Sequence, residues 1–296
     1  MSTLETPTVP TRSVPEVRPT RRAPRHISAG SVARFIGILA LAVIIFLPVY
    51  VSFVGAFSAN GTLVRNGLIP DFASFTLSNF TEALTTIPLA QGYLVSVAVV
   101  AVQTAAQILT GALAAYALVF PQWRFRNLAF TLVVITLAVP GESIVIPNYE
   151  LVSSIGLRDT ILGVALPYLA AGYPIFLLRQ AFANVPREIW EASRLDGCGD
   201  MRTLFAVIIP AVRPQMTTAI IWSALAAWNG FFWPLLITDS ANARTIQVGI
   251  SQLASSEVGN PAVIFAGAVL VVVPTILLVI VAQRFLINGL ARGVLN

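Results

Sequence analysis

Apolar positions in this chain come in long unbroken runs, not in the period-two or period-3.6 stripes of a half-buried element. Stretches 35–64, 83–123, 160–178, 214–238 and 258–283 hold no charged residue and are each 19 residues or longer, against the roughly 20 that a helix needs to cross bilayer hydrocarbon. A sixth run, 127–148, stays apolar up to Glu142 near its end; it spans if that carboxylate meets an interface or faces protein. The pattern predicts an all-α polytopic membrane protein with six transmembrane helices. Pro48, Pro140, Pro147, Pro167, Pro174, Pro234 and Pro274 fall in or beside these runs, where they act as kinks or as breaks near a permeation path.

The polar intervals divide into three kinds. Residues 1–33 hold five prolines and few large apolar groups, too little to bury a core, and are expected to be a disordered tail ahead of a membrane domain at 34–296. Residues 58–90 carry turn formers and then Ser78 with Glu82 and Leu84 behind it, the pattern of a short surface helix capped by Ser78. Residues 179–213 are charged but not of disordered composition.

Composition agrees with the pattern: 56% of residues are hydrophobic and 10% charged, where soluble domains average about 25% charged. The net charge of +5 is explained by placement. All 18 basic residues are arginines, and the six runs put 15 of them on one side against Arg65, Arg158 and Arg244 on the other. Short basic loops stay cytoplasmic, so both termini are expected in the cytoplasm of a bacterial cell, the charge needs no nucleic acid partner, and the first run is too long for a cleaved signal. Gly111, Ala112, Ala114 and Ala115 at the end of the second run suit close helix packing.

What is missing narrows the chemistry. Without lysine there is no G-x-x-x-x-G-K-[ST] phosphate loop, so the chain is not by itself a P-loop ATPase. A single histidine, His26 in the tail, rules out an intramembrane Ser–His protease and an H-E-x-x-H zinc site. Cys198 is the only cysteine, which leaves no disulfide or cysteine metal cluster. Glu142 and Glu150, with Pro147 between them, do not define a paired carboxylate site.

The interval about 182–210 reads as a helical hairpin. Pro186 suits a first helical turn, and Arg187, Glu191 and Arg194 recur along one polar stripe. Gly197 and Gly199 supply the reversal, Asp196 can accept N–H bonds at the turn, and Asp200 is placed to cap a second helix. That helix has Met201, Leu204, Phe205 and Ile208 at amphipathic spacing and ends at Pro210. On spacing alone it is either a plain surface connection or a docking element.

The residues EASRLDGCGDMRTLFAVIIP resemble the signature loop of ABC-importer membrane subunits, E-A-A-x-x-D-G-A followed by twelve residues of which the last is proline. Glu191, Ala192, Asp196, Gly197 and Pro210 match in register; Ser193 and Cys198 replace alanines, and Leu204 stands where phenylalanine is common. NYELVSSIGLRDTILGVALPYLAAGYPIFLLRQAFANVPREIWEASRLDG, WNGFFWPLLI and QRFLINGLARG are similar to the second permease of carbohydrate-uptake systems, the maltose-transporter type, over about residues 35–293. The resemblance implies the ABC type I importer permease fold and a sugar, polyol or glycerol phosphate as solute. It implies a second homologous permease, two ATPase subunits that hold ATP and magnesium, and an extracytoplasmic binding protein. It also implies that Arg187, Glu191, Ala192, Arg194, Asp196, Gly197, Leu204 and Pro210 couple the membrane helices to the ATPase.

For the solute path, uncharged polar and aromatic groups suit sugar hydroxyls and ring faces. Asn229 between Trp228 and Phe231 is such a cluster, with Trp233 beside it and Pro234 as a break, and Glu142 is the one carboxylate near a span; helix packing and interfacial anchoring are the other readings of these residues. An ion-coupled carrier, which wants a buried ionisable group at mid-membrane, has only Glu142 to offer. A non-transporting scaffold is the third reading.

Overall fold

The structure, a computed structural model, describes residues 29–59, 69–255 and 260–293. Among these residues the chain is helical, apart from turns and one antiparallel bridge between Ser58 and Phe75. Two units divide at Pro48. Of the first, the described part is the beginning of helix α1 (Ala29–Phe57), which starts ahead of the boundary expected at residue 34; residues 1–28 of the expected tail lie outside the described residues. Phe35, Ile44 and Phe46 leave 66%, 66% and 68% of their surface open, an apolar area that lipid covers and water does not tolerate.

The second unit continues through α2 (Ser78–Thr86), α3 (Leu89–Val119), α4 (Arg126–Thr136), α5 (Val145–Ser154), α6 (Ile161–Ala165) and α7 (Gly172–Ala183). It is completed by α8 (Arg187–Leu195), α9 (Asp200–Ala211), α10 (Arg213–Trp228), α11 (Phe232–Ile237), α12 (Ile246–Ser255) and α13 (Pro261–Gly293). By length and composition, α1 from Arg34 onward and α3 can each cross a membrane, and the number rises to five if each of three bent helix pairs is one span. The expected runs are thus broken more often than their hydropathy suggests. Gly141–Ser154 follows α4 at 97°, across turns after Thr136 and the extended backbone of Pro140 (ψ 131). The α7 axis turns 49° from Ile161–Tyr168 at the extended Ala171, and α10 turns 91° from α9 at Val212, just ahead of Pro214.

Helix α3 is the post on which the unit is assembled. A Cβ on Gly111 would stand 3.4 Å from both Leu178 and Pro174 of α7, the close approach that small residues permit. One core cluster joins Tyr116 and Phe120 of α3's end to Leu178, Phe182, Leu204 and Ile208, the last four fully buried. A second gathers Ala83, Leu89, Trp228, Ile246 and Val263, and a third Val99, Val152, Val164, Trp233 and Ile237. The surface helix α2 forms as expected but without its cap: Leu77 occupies the N-cap, and Ser78 is already helical.

A latch ties the α5–α6 connection to the residues after α11. Asp159 adopts φ 56, a left-handed conformation that Asp tolerates better than most residues. Its Oδ1 accepts the N–H groups of Asp239 and Ser240, both at 2.9 Å, while Arg158 pairs with Asp239 at 2.9 Å. Partial burial works to raise the Asp159 carboxyl, but the N–H donors of Ser240 and Asp239 and the charge of Arg244 outweigh it and hold it below its ordinary value. A depressed carboxyl stabilises the fold above its unfolded pKa of about 4, and that contribution is lost as pH falls through the lower folded value. Thermal unfolding followed across that acid window is expected to show a fall in Tm that Asp159→Asn flattens; an unchanged slope would count against the latch.

Candidate functional site: the α8–α9 hairpin and the cavity beside α3

The hairpin forms where the sequence places it, and it is braced from three sides. Gly197, at φ 79, makes the turn, and the N–H of Cys198 donates back to Ser193 O at 3.0 Å. Between the arms, the buried Ser193 and Thr203 hydroxyls meet at 3.2 Å. Below them, Trp190 lies parallel to Phe120, 5.9 Å between centroids at 14°, and its Nε1 donates to Tyr116 Oη at 2.9 Å. Tyr116 in turn donates to Asp200 Oδ1 at 3.0 Å, which also accepts from Arg194 Nη1 at 3.0 Å.

Asp200 therefore does different work from that expected. Gly199 is the N-cap of α9 with no side-chain cap bond, Asp200 is the first helical residue, and its carboxylate is the node joining α3, α8 and α9. Pro186 similarly sits one position before α8, as its N-cap. Pro210 does not end the second helix, which runs to Ala211; within α9, Leu204–Ile208 form a π turn, marked by the Ile209 N–H donating to Leu204 O. Of the amphipathic positions, Leu204 and Ile208 are fully buried whereas Met201 and Phe205 stay more than half or half exposed at 58% and 50%.

The outward face carries Arg187, Glu191, Ala192, Leu195 and Asp196, all exposed. Arg187 Nε reaches Glu191 Oε1 at 3.1 Å, with 47% and 56% of the two side chains accessible. Such a solvent-exposed i,i+4 pair contributes about 0.3–0.5 kcal/mol. Glu191 can thus leave Arg187 for another cation at little cost, while the scaffold beneath it stays fixed.

A cavity of about 370 Å³ opens beside the middle of α3. Gln103, Gln107, Glu142, Tyr168, Trp222 and Trp233 supply its polar and aromatic wall, and no basic residue lines it. Gln103 Nε2 donates to Val164 O at 3.2 Å and Gln107 Nε2 to Tyr168 O at 2.8 Å. Gln107 is 4% exposed, and its Oε1 has no hydrogen-bond partner, an unusual state for a buried amide. Trp233 is fixed by Nε1 bonds to the carbonyls of Gly163 and Val164 at 3.3 and 3.2 Å.

The residues expected along a solute path are divided by this geometry. Glu142, in the 3₁₀ turn Gly141–Ile144, Phe231 and Trp233 reach the cavity. Trp228 is buried elsewhere, donating to Thr275 Oγ1 at 2.8 Å, and Asn229 donates to Leu225 O at 2.9 Å; neither lines the cavity. The break expected at Pro234 comes earlier, at Asn229–Phe231, because Pro234 sits in the first turn of α11, where a missing N–H costs nothing. Gln103 and Gln107 were not singled out in the sequence, although two glutamines four apart in an otherwise uncharged run were a readable signal.

Residues 107–292 match the family of binding-protein-dependent transport system inner membrane components. The chain belongs to this family. It is an inner-membrane component of an ABC importer, a transport subunit and not an enzyme. Among its relatives, this permease is 31% identical over 265 residues to the arabinooligosaccharides transport system permease protein of Halalkalibacterium halodurans, covering 87% of this chain and 94% of that one. It is 28% identical over 261 residues to the sn-glycerol-3-phosphate transport system permease protein of Agrobacterium fabrum, covering 84% and 92%. A chain from the crystal structure of a bacterial ABC transporter that imports the acidic polysaccharide alginate superposes with a TM-score of 0.76 at 22% identity, covering 90% of this chain and 99% of that one. The permease therefore has the ABC importer fold.

Proposed function

We propose that this permease passes a neutral sugar or oligosaccharide across the membrane, and the cavity beside α3 is the observation that carries the choice. Gln103 lies about 20 Å from either end of α3 at 1.5 Å per residue, which puts the cavity near mid-depth of a bilayer that α3 spans. Its aromatic faces suit sugar rings and its amides suit hydroxyls, with Gln107 Oε1 free to accept one. Between the two solute classes transported by its relatives, Glu142 in a wall without a basic residue disfavours a phosphate ester, whose charge would be unpaired and repelled.

In this reading the subunit works with a second homologous permease, two ATPase subunits that hold ATP and magnesium, and an extracytoplasmic binding protein, with both termini in the cytoplasm. The hairpin over about 182–210 faces the ATPase and transmits its closure to α10 through the bend at Val212. A partner can bias inward- against outward-open states only by binding them with different free energy, and a knuckle that is rigid within itself but polar on its outer face meets that need.

The test is uptake by the complex in proteoliposomes loaded with its binding protein. Neutral oligosaccharide is expected to enter and glycerol 3-phosphate not to. Gln107→Leu, which removes one hydroxyl partner worth about 1 kcal/mol, is expected to slow uptake roughly fivefold while ATP hydrolysis by the complex persists. Unchanged uptake in that variant would remove the cavity from the path.

A further inference from the structure

A second cavity, of about 260 Å³, is lined by Arg126, Arg179 and Arg187 with no acidic residue in its wall. Among the described residues neither Arg126 nor Arg179 is in an ion pair, whereas Arg187 pairs with Glu191 of the outer hairpin face and its two Nη groups can donate to the Gln122 side-chain oxygen at 3.0 and 3.2 Å. Arg179 is held with its guanidinium 4.3 Å over the Phe130 ring, and its Nε is buried without a hydrogen-bond partner. Asn127 also lines the cavity, in the first turn of α4. The α4 N-cap is Phe125, which has no side chain able to accept the free N–H groups of that turn. An uncapped helix start and converging guanidinium groups both favour an anion with several oxygens, and phosphate matches both.

The surroundings indicate how the anion arrives. Trp123, Phe125 and Leu128, on and just ahead of the same first turn, are 40%, 57% and 57% exposed. Indole and apolar side chains ranged beside cationic ones are the arrangement of a membrane boundary, where arginine heads reach the phosphate level and stems stay in hydrocarbon. A soluble ion would gain nothing from that apolar rim, whereas acyl chains would lie on it.

We propose that the Arg126–Arg179–Arg187 cavity seats the phosphate of an anionic phospholipid headgroup, with phosphatidylglycerol as the probe. Because Arg187 also holds Glu191, a bound headgroup competes for that guanidinium and links bilayer composition to the coupling hairpin.

Native mass spectrometry of the complex extracted from mixed phosphatidylglycerol and phosphatidylcholine bilayers reads the site directly. Arg126→Gln and Arg179→Gln are each expected to lower retained phosphatidylglycerol about tenfold relative to phosphatidylcholine, the loss of one charge-assisted hydrogen bond. Arg126→Lys, which keeps the charge on a half-buried side chain, is expected to restore most of it and shows that the fold is intact. Equal retention in the double Gln variant overturns the proposal. So does displacement of the lipid by millimolar inorganic phosphate, which would make the cavity a soluble-anion site.

Discussion

Glu191→Ala is expected to lower solute uptake and solute-stimulated ATP hydrolysis together, each by about tenfold or more, in a complex that still assembles. The residue contributes little to its own fold. Its pair with Arg187 is exposed and worth well under 1 kcal/mol, while α8 is anchored by Trp190, Ser193 and Arg194, none of which the substitution touches. A charge-assisted bond to a cation across an interface is worth about 1.5–3 kcal/mol, and under the proposed docking to an ATPase one contact transmits both activities. Reconstituted transporter, assayed for labelled solute and for phosphate release in the same vesicles, separates the outcomes. Loss of uptake with full stimulated hydrolysis would mean that Glu191 belongs to the permeation path, and no loss at all would make the hairpin a bystander.

Gly163→Ala should have the largest effect on the fold itself. A Cβ at Gly163 would run into the backbone oxygen of Leu157 and stand 3.0 Å from its carbonyl carbon. Backbone cannot swing aside as a flexible side chain does, so the α5–α6 connection or α6 must shift. The N-terminal cap of α6 depends on the same residue: Gly163 N–H donates to Thr160 Oγ1 at 2.9 Å. Its carbonyl also receives Trp233 Nε1, so the cavity wall moves with it. Overpacking of this kind costs about 3 kcal/mol, expected to appear as a clear drop in Tm and in folded yield from membranes. A variant with unchanged Tm would show that the connection yields freely.

The sequence made the hairpin legible because its signals are local. Proline, a charged stripe and two glycines define a helix, a reversal and a second helix within about 25 residues, and Gly197 has the positive φ predicted for it. The same locality misassigned Asp200, a sound N-cap by type, which is drawn into a network completed by Tyr116, 84 residues away. Hydropathy located apolar runs but not their bends at Ala171 and Val212 or the early break at Gly230, since lipid exposure does not depend on axis direction. The cavity beside α3 was the least readable feature. Glu142 and Trp233 stand out in the sequence by type and line it, but Gln103 and Gln107 become a wall only when α3 meets the 163–168 segment, and nothing local places Trp228 outside it with its indole bonded to Thr275.

The π turn at Leu204–Ile208 has a geometric consequence of its own. It takes up one residue more than an ordinary turn, so the helical stretches on its two sides are out of step by about 100°. The compass bearing of the knuckle is thus fixed by five residues remote from its tip. Loss of a single codon there would leave every tip side chain intact and turn the whole tip to face the wrong way.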